Sequence, residues 1–147
     1  LVFVGDGEEG ARLRDLSSDL EWVRFLGFRN QSELPSIYAM SDVFALPSRD
    51  EPWGLSVNEA MACGTAVIST DQCGCSVDLV DNSVGRSVPA DDCDALAVAL
   101  TEVLADPIKT ATMGRAAQDR IATWSYAEDI TGLKTALKVV GEMPFLT

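Results

Sequence analysis

The stretch Pro47–Val67, PSRDEPWGLSVNEAMACGTAV, reads as the end of one strand, a loop, a short helix and the start of the next strand. The run VFALPS (43–48) before it and AVIST (66–70) at its end are short, apolar and rich in β-branched residues, the pattern of buried strands. Between them, Pro52 stiffens the loop and Gly54 permits a sharp entry into a helix that Gly64 terminates as a C-cap. A strand, a helix and a strand within about 30 residues form a βα unit with a parallel partner strand.

The same alternation continues on both sides. Upstream, LVFVG (1–5) and WVRFLGF (22–28) read as strands, with a polar-faced helix over 8–19 that turns Leu13 and Leu16 inward. Asn30 and Glu33 have the spacing of a capping box, opening a helix through Leu34, Ile37 and Tyr38. Downstream, Val77–Val80 reads as a helical turn and GRSVP (85–89) as a fifth strand. Asp92 caps a helix over 94–105, Asp106-Pro107 starts another, and Ser125 with Glu128 forms a further capping box. The expected fold is α/β: a Rossmann-like parallel sheet of about five strands with helices on both faces and a helical C-terminal tail. Ligands in such sheets bind beyond the carboxyl ends of the strands. That singles out the loops 5–10, 27–31, 48–56 and 70–76.

Composition narrows the partners. The 147 residues suffice for one domain, and 47% are hydrophobic, yet no apolar run reaches the roughly 18 to 20 residues of a membrane span. With 11 Lys and Arg against 23 Asp and Glu, the net charge is -12 and the cations are scattered, which disfavours nucleic acid. The four cysteines include no CxxC pair and the chain has no histidine, which disfavours a zinc site and fits a reduced, cytoplasmic setting. Cys73-Gly74-Cys75 reads as a plain turn, since a single residue between two thiols is poor disulfide geometry. The chain opens directly on a strand-like run, as at a cut end.

Two carboxylates, Glu51 and Glu59, have seven residues between them across the central loop and helix. The amides of Leu55 and Ser56 fall in the first helical turn, where unpaired N–H groups and the helix dipole favour an anion. Carboxylates repel phosphate, so Glu51 and Glu59 would take hydrogen bonds from hydroxyls on sugars flanking the anion. That combination describes a nucleotide-sugar. Blander roles stay open: Ser56 and Glu59 also have capping-box spacing, and Glu51 can be a solvated loop acid. A glycosidase acid–base pair needs a carboxylate separation that spacing alone does not give.

Gly5-Asp6-Gly7-Glu8-Glu9-Gly10 matches GxGxxG after a strand, the place of a dinucleotide fingerprint, which keeps an NAD(P)-binding oxidoreductase domain as an alternative. Glu8 and Glu9 put negative charge where a pyrophosphate would sit, and Phe28-Arg29-Asn30 replaces the ribose-binding acid. A tight βα turn is the simpler account. A noncatalytic interaction domain is the other alternative.

Taken in order, LVFVGDG, VRFLGF, SDVFALPS, EPWGLSVNEAMACGTAVIST, the turn near Asp78, VPADD and WSY resemble the landmarks of glycosyltransferase family 4, retaining enzymes of the GT-B fold. They cover nearly the whole chain, and the Glu-(seven residues)-Glu arrangement is the most specific. The resemblance implies a nucleoside-diphosphate-sugar donor and transfer to a glycan or lipid-linked acceptor, as in polysaccharide biosynthesis. Glu51 would be the catalytic carboxylate and contact the donor sugar, with Trp53, Gly54, Leu55 and Ser56 around sugar and diphosphate. Glu59 would hold the ribose and Phe28 the base. No cofactor or obligatory metal is implied, and no DxD motif occurs.

The resemblance also implies what lies outside the chain. Leu1 corresponds to the second strand of the family's nucleotide-binding domain, so residues 1–147 would be its later part. The first strand–helix unit, which bears an Arg and a Lys for the diphosphate, and the N-terminal acceptor domain would be absent. Such a fragment would be inactive alone and could self-associate through an uncovered sheet edge. The parent enzyme would be cytoplasmic, with room for peripheral attachment to the inner face of the membrane. Cys75 stands where a second glycine is common in the family.

Overall fold

The computed structural model describes residues 1–141, and its backbone divides into two compact units, Leu1–Ile37 and a larger one beginning at Tyr38. The first unit holds β1 (Val2–Phe3), α1 (Gly10–Leu16) and β2 (Arg24–Phe25), with β1 and β2 paired in parallel. The first turn of α2 (Leu34–Ala39) belongs to it as well. Although the regular strands are two residues long, the ladder runs further: Arg24 N donates to Leu1 O, Leu26 N to Phe3 O and Gly5 N to Gly27 O. Phe3 and Phe25 stack across it at 4.9 Å, and the Arg14 guanidinium lies over the Phe25 ring.

The second unit is built on β3 (Val43–Leu46), β4 (Ala66–Thr70) and β5 (Gly85–Val88), a parallel sheet in the order β3-β4-β5. The helices are α3 (Leu55–Ala62), α4 (Cys75–Leu79), α5 (Cys93–Leu104), α6 (Pro107–Ile121) and α7 (Tyr126–Gly141). All five expected strands are present and parallel, hydrogen-bonded as a pair and a triple. Every residue of β4 is buried, as its central place requires. Alternate residues Ala66 and Ile68 on one face of β4 pack with Val88, Ala99 and Val103.

The expected caps form. Asp92 accepts from Ala95 N at 2.8 Å, and Asp106 accepts from Ile108 N and Lys109 N ahead of Pro107. Glu128 takes both the N–H and the hydroxyl of Ser125, and Glu33 takes the Asn30 N–H. At the end of α3, Gly64 adopts φ +78°, Gly64 N donates to Met61 O and Thr65 N to Ala60 O. This is a Schellman closure. Helix α6 crosses that end closely: a Cβ on Gly114 would stand 2.0 Å from Gly64 O, and Gln118 Nε2 donates to Ala62 O.

Several expectations need correction. Helix α1 stops at Leu16 rather than 19, where Ser17 Oγ folds back onto Leu13 O, and Leu16 is consequently 68% exposed instead of inward. Ser56 does not cap α3. The left-handed Gly54 (φ 97°) starts the helix two residues earlier, so Ser56 is its second residue and Glu59 reaches a different partner. No described helix is long and apolar enough to cross a membrane.

Candidate functional site

The loops that leave β3 and β4 are bonded to each other along their backbones. Glu51 N donates to Gln72 O, Gly74 N to Glu51 O and Cys75 N to Trp53 O, all within 3.1 Å. Hydroxyls tie the same junction from beneath: Thr70 Oγ1 donates to Ser48 O, Ser76 Oγ donates to Thr70 O, and Ser69 Oγ lies 2.6 Å from Ser76 Oγ. Gly74 is dictated by this contact, because a Cβ there would fall 2.1 Å from Pro52 O. Spacing alone did not single out Ser69, Thr70 and Ser76. The signal was present, since hydroxyl residues at the end of a buried strand must find partners.

Held in this way, the 48–56 loop places Glu51 at the mouth of α3. Its Oε1 accepts the N–H of Gly54 at 3.1 Å and that of Trp53 at 3.4 Å. Val57 N bonds to Gly54 O, while the amides of Leu55 and Ser56 in the first turn take no acceptor among the described residues. The loop acid is therefore structured by the backbone, while its second oxygen takes no hydrogen bond from the described residues. Trp53 packs at 5.6 Å against Trp124, the residue two before α7.

Glu59 projects from the second turn of α3, and its Oε2 accepts the phenol O–H of Tyr38 at 3.0 Å. Burial, followed by the adjoining carboxylate, raises the Tyr38 pKa above its ordinary 10.0, so this phenol remains a donor. Burial also raises the Cys63 thiol, with Glu59 adding to the effect.

Cys75 is fully buried and its thiol is pushed up to about 11, chiefly by burial, so it is a protonated packing group. It stands 3.1 Å from where a Gly54 Cβ would be. All four cysteines are free, in keeping with a plain turn at Cys73-Gly74-Cys75. Close approach is therefore accommodated at Gly74 and Gly54, and the cysteine at 75 fits the loop.

The structure thus brings Glu51, Trp53, Gly54, Leu55, Ser56 and Glu59 together around the first two turns of one helix. Phe28 belongs to the other unit, where it follows the left-handed Gly27 and is 75% exposed. Beside it Arg29 is paired with Glu33 along the opening turn of α2. In the Gly5–Gly10 loop, Gly5 takes φ +118°, and Cβ atoms on Gly7 and Gly10 would meet nothing within 4 Å. These glycines serve a βα turn.

The family described as Glycosyl transferases group 1 matches residues 1–120. The chain belongs to that family. Two relatives are the GDP-mannose-dependent monoacylated alpha-(1-6)-phosphatidylinositol monomannoside mannosyltransferase of Corynebacterium glutamicum and the D-inositol 3-phosphate glycosyltransferase of Mycolicibacterium gilvum. The first is 36% identical over 86% of this chain and 35% of its own length, the second 40% identical over 78% and 26%. The chain thus spans about a third of the length of these curated relatives. Among solved structures, HepE of Anabaena in complex with UDP-glucose matches with a TM-score of 0.72 and 30% identity over 83% of this chain and 35% of that one. The NAD(P)-binding alternative falls away with this membership.

Proposed function

We propose that this chain is the later part of the donor-binding domain of a retaining glycosyltransferase, which moves a sugar from a nucleoside diphosphate to a glycan or lipid-linked acceptor. The observation that carries the reading is the pair of carboxylates, Glu51 and Glu59, set on either side of the unpartnered amides that open α3. Helix-terminal N–H groups suit the diphosphate, and carboxylates suit hydroxyls. In this reading Glu51 is the catalytic carboxylate and takes donor-sugar hydroxyls through its second oxygen. Trp53, Gly54, Leu55 and Ser56 line the sugar and diphosphate, Glu59 holds the ribose and Phe28 meets the base. Relatives named for GDP-mannose and a neighbour holding UDP-glucose support a sugar nucleotide as donor.

Transfer breaks the bond between the sugar's anomeric carbon and the diphosphate oxygen and makes one to the oxygen of an acceptor hydroxyl, whose proton passes to the departing diphosphate. The leaving diphosphate gains charge, and groups that stabilise such an oxyanion contribute about 3 to 4 kcal/mol each. We assign that work to an Arg and a Lys in a preceding strand–helix unit, and acceptor binding to a preceding domain, so the chain alone would not catalyse. No metal is called for, so transfer by the full-length polypeptide should persist in excess chelator.

The main test is Glu51→Gln in the full-length polypeptide. The amide oxygen of Gln can still accept the Gly54 N–H, so the melting temperature should hold while transfer from a UDP- or GDP-sugar falls roughly 100-fold or more. Undiminished transfer would remove Glu51 from the site.

A further inference from the structure

We infer that Tyr38 is a positioning residue for nucleotide binding: its phenol holds Glu59 in the one orientation that leaves a carboxylate oxygen for the ribose hydroxyls. The inference rests on the ribose role proposed for Glu59.

Tyr38 is unusually well fixed for this task. It is 7% exposed, its ring meets Phe44 of β3 edge-on at 5.3 Å, and its carbonyl accepts the Thr65 hydroxyl at 2.8 Å and the Ser41 N–H at 2.9 Å. Thr65 closes α3, the helix that bears Glu59. The phenol is therefore anchored from β3 and from the end of the same helix, and it points one O–H at Glu59 Oε2.

The chemistry of the pair argues against a purely structural tie. A partly buried carboxylate is expensive without a cation or several donors, and among the described residues no Arg or Lys pairs with Glu59. One neutral phenol satisfies one of about four acceptor sites on the carboxylate. An apolar pair would hold the two helices together at lower cost. What the O–H does supply is direction: a free Glu side chain samples many rotamers, and freezing it before the ligand arrives removes that entropy from binding. One acceptor site of Oε2 is taken, so Oε1, with both of its own, is the oxygen best placed to take a vicinal diol.

The test uses the full-length polypeptide and calorimetric titration with UDP and GDP, each beside its 2′,3′-dideoxy analogue. Wild type should prefer the ribonucleotide by roughly tenfold or more, as expected of hydrogen bonds to a charged acceptor. Glu59→Ala should abolish that preference. Tyr38→Phe, which keeps the ring and loses only the oxygen, should cut the preference several-fold while leaving affinity for the dideoxy analogue unchanged. A variant that weakens both nucleotides alike would make Tyr38 merely structural and overturn the inference, as would Tyr38→Phe with the full wild-type preference. If wild type showed no preference, or Glu59→Ala retained it, the ribose role of Glu59 itself would fail.

Discussion

At the scale of single residues, the site depends on where a side chain is forbidden as much as on where one acts. Gly74 has ordinary helical angles, φ -55° and ψ -38°, so its need is spatial and not conformational. A Cβ there would sit 2.1 Å from Pro52 O, inside the three backbone bonds that join the 51–53 and 72–75 segments. Gly74→Ala should therefore destabilise the chain by about 1 to 3 kcal/mol, read as a lower urea midpoint. Gly7→Ala, which meets nothing within 4 Å, should stay within about 0.5 kcal/mol. Equal midpoints for the two variants would disprove the close contact. The residue pair Tyr38 and Glu59 shows the complementary case, in which an acid is defined by one donor 21 positions away.

Elements are held by their ends. Helix α6 opens on Asp106, whose carboxylate takes two of the orphan N–H groups, and Asp106→Ala should cost about 1 kcal/mol in chemical denaturation. Its other end is clamped by Arg120, which donates to Leu79 O, Asp81 Oδ2 and Ser83 Oγ and so ties α6 to the turn between α4 and β5. The Arg120 hydrogen bond, helped by Ser83, brings the Asp81 pKa from 3.8 down to about 2. A carboxyl depressed in the folded state stabilises it above the unfolded pKa, and the benefit is lost as pH falls through the folded one. The melting temperature of wild type should thus drop more between pH 4 and 2 than that of Asp81→Asn, modestly so because Asp81 is half exposed. Parallel acid limbs for the two proteins would dismiss the clamp as an electrostatic contributor.

On the scale of the molecule, the two units differ in how their strands are secured. Strand β4 is bonded on both sides and wholly buried, whereas β1 and β2 are each bonded on one side only, in a two-stranded sheet with few covered side chains. Hydrogen exchange should follow that difference, with the amides of β4 opening only on global unfolding and that of Leu26 exchanging by a smaller opening. Similar protection for both would mean that the chain unfolds as a single cooperative body. The exposed faces of α7 carry Ile130, Leu133 and Leu137, residues that the helix leaves uncovered in this chain.

Local chemistry determined much of this protein from the sequence alone. Strand type, the parallel βα order, the caps at Asp92, Asp106 and Ser125 and the closing Gly64 all follow from interactions spanning at most a few residues, so their signals survive in one dimension. The spacing of Glu51 and Glu59 is legible in the same way. Only the tertiary structure decided what each carboxylate touches. The spacing of Ser56 and Glu59 fits a capping box equally well, and the tie was broken by Gly54 starting α3 early and by Tyr38 arriving from another helix. The hydroxyls of Ser69, Thr70 and Ser76 became partners through the pairing of two loops. Such contacts join residues distant in sequence, and a hydrogen bond between distant residues leaves no periodicity or spacing by which one sequence could reveal it.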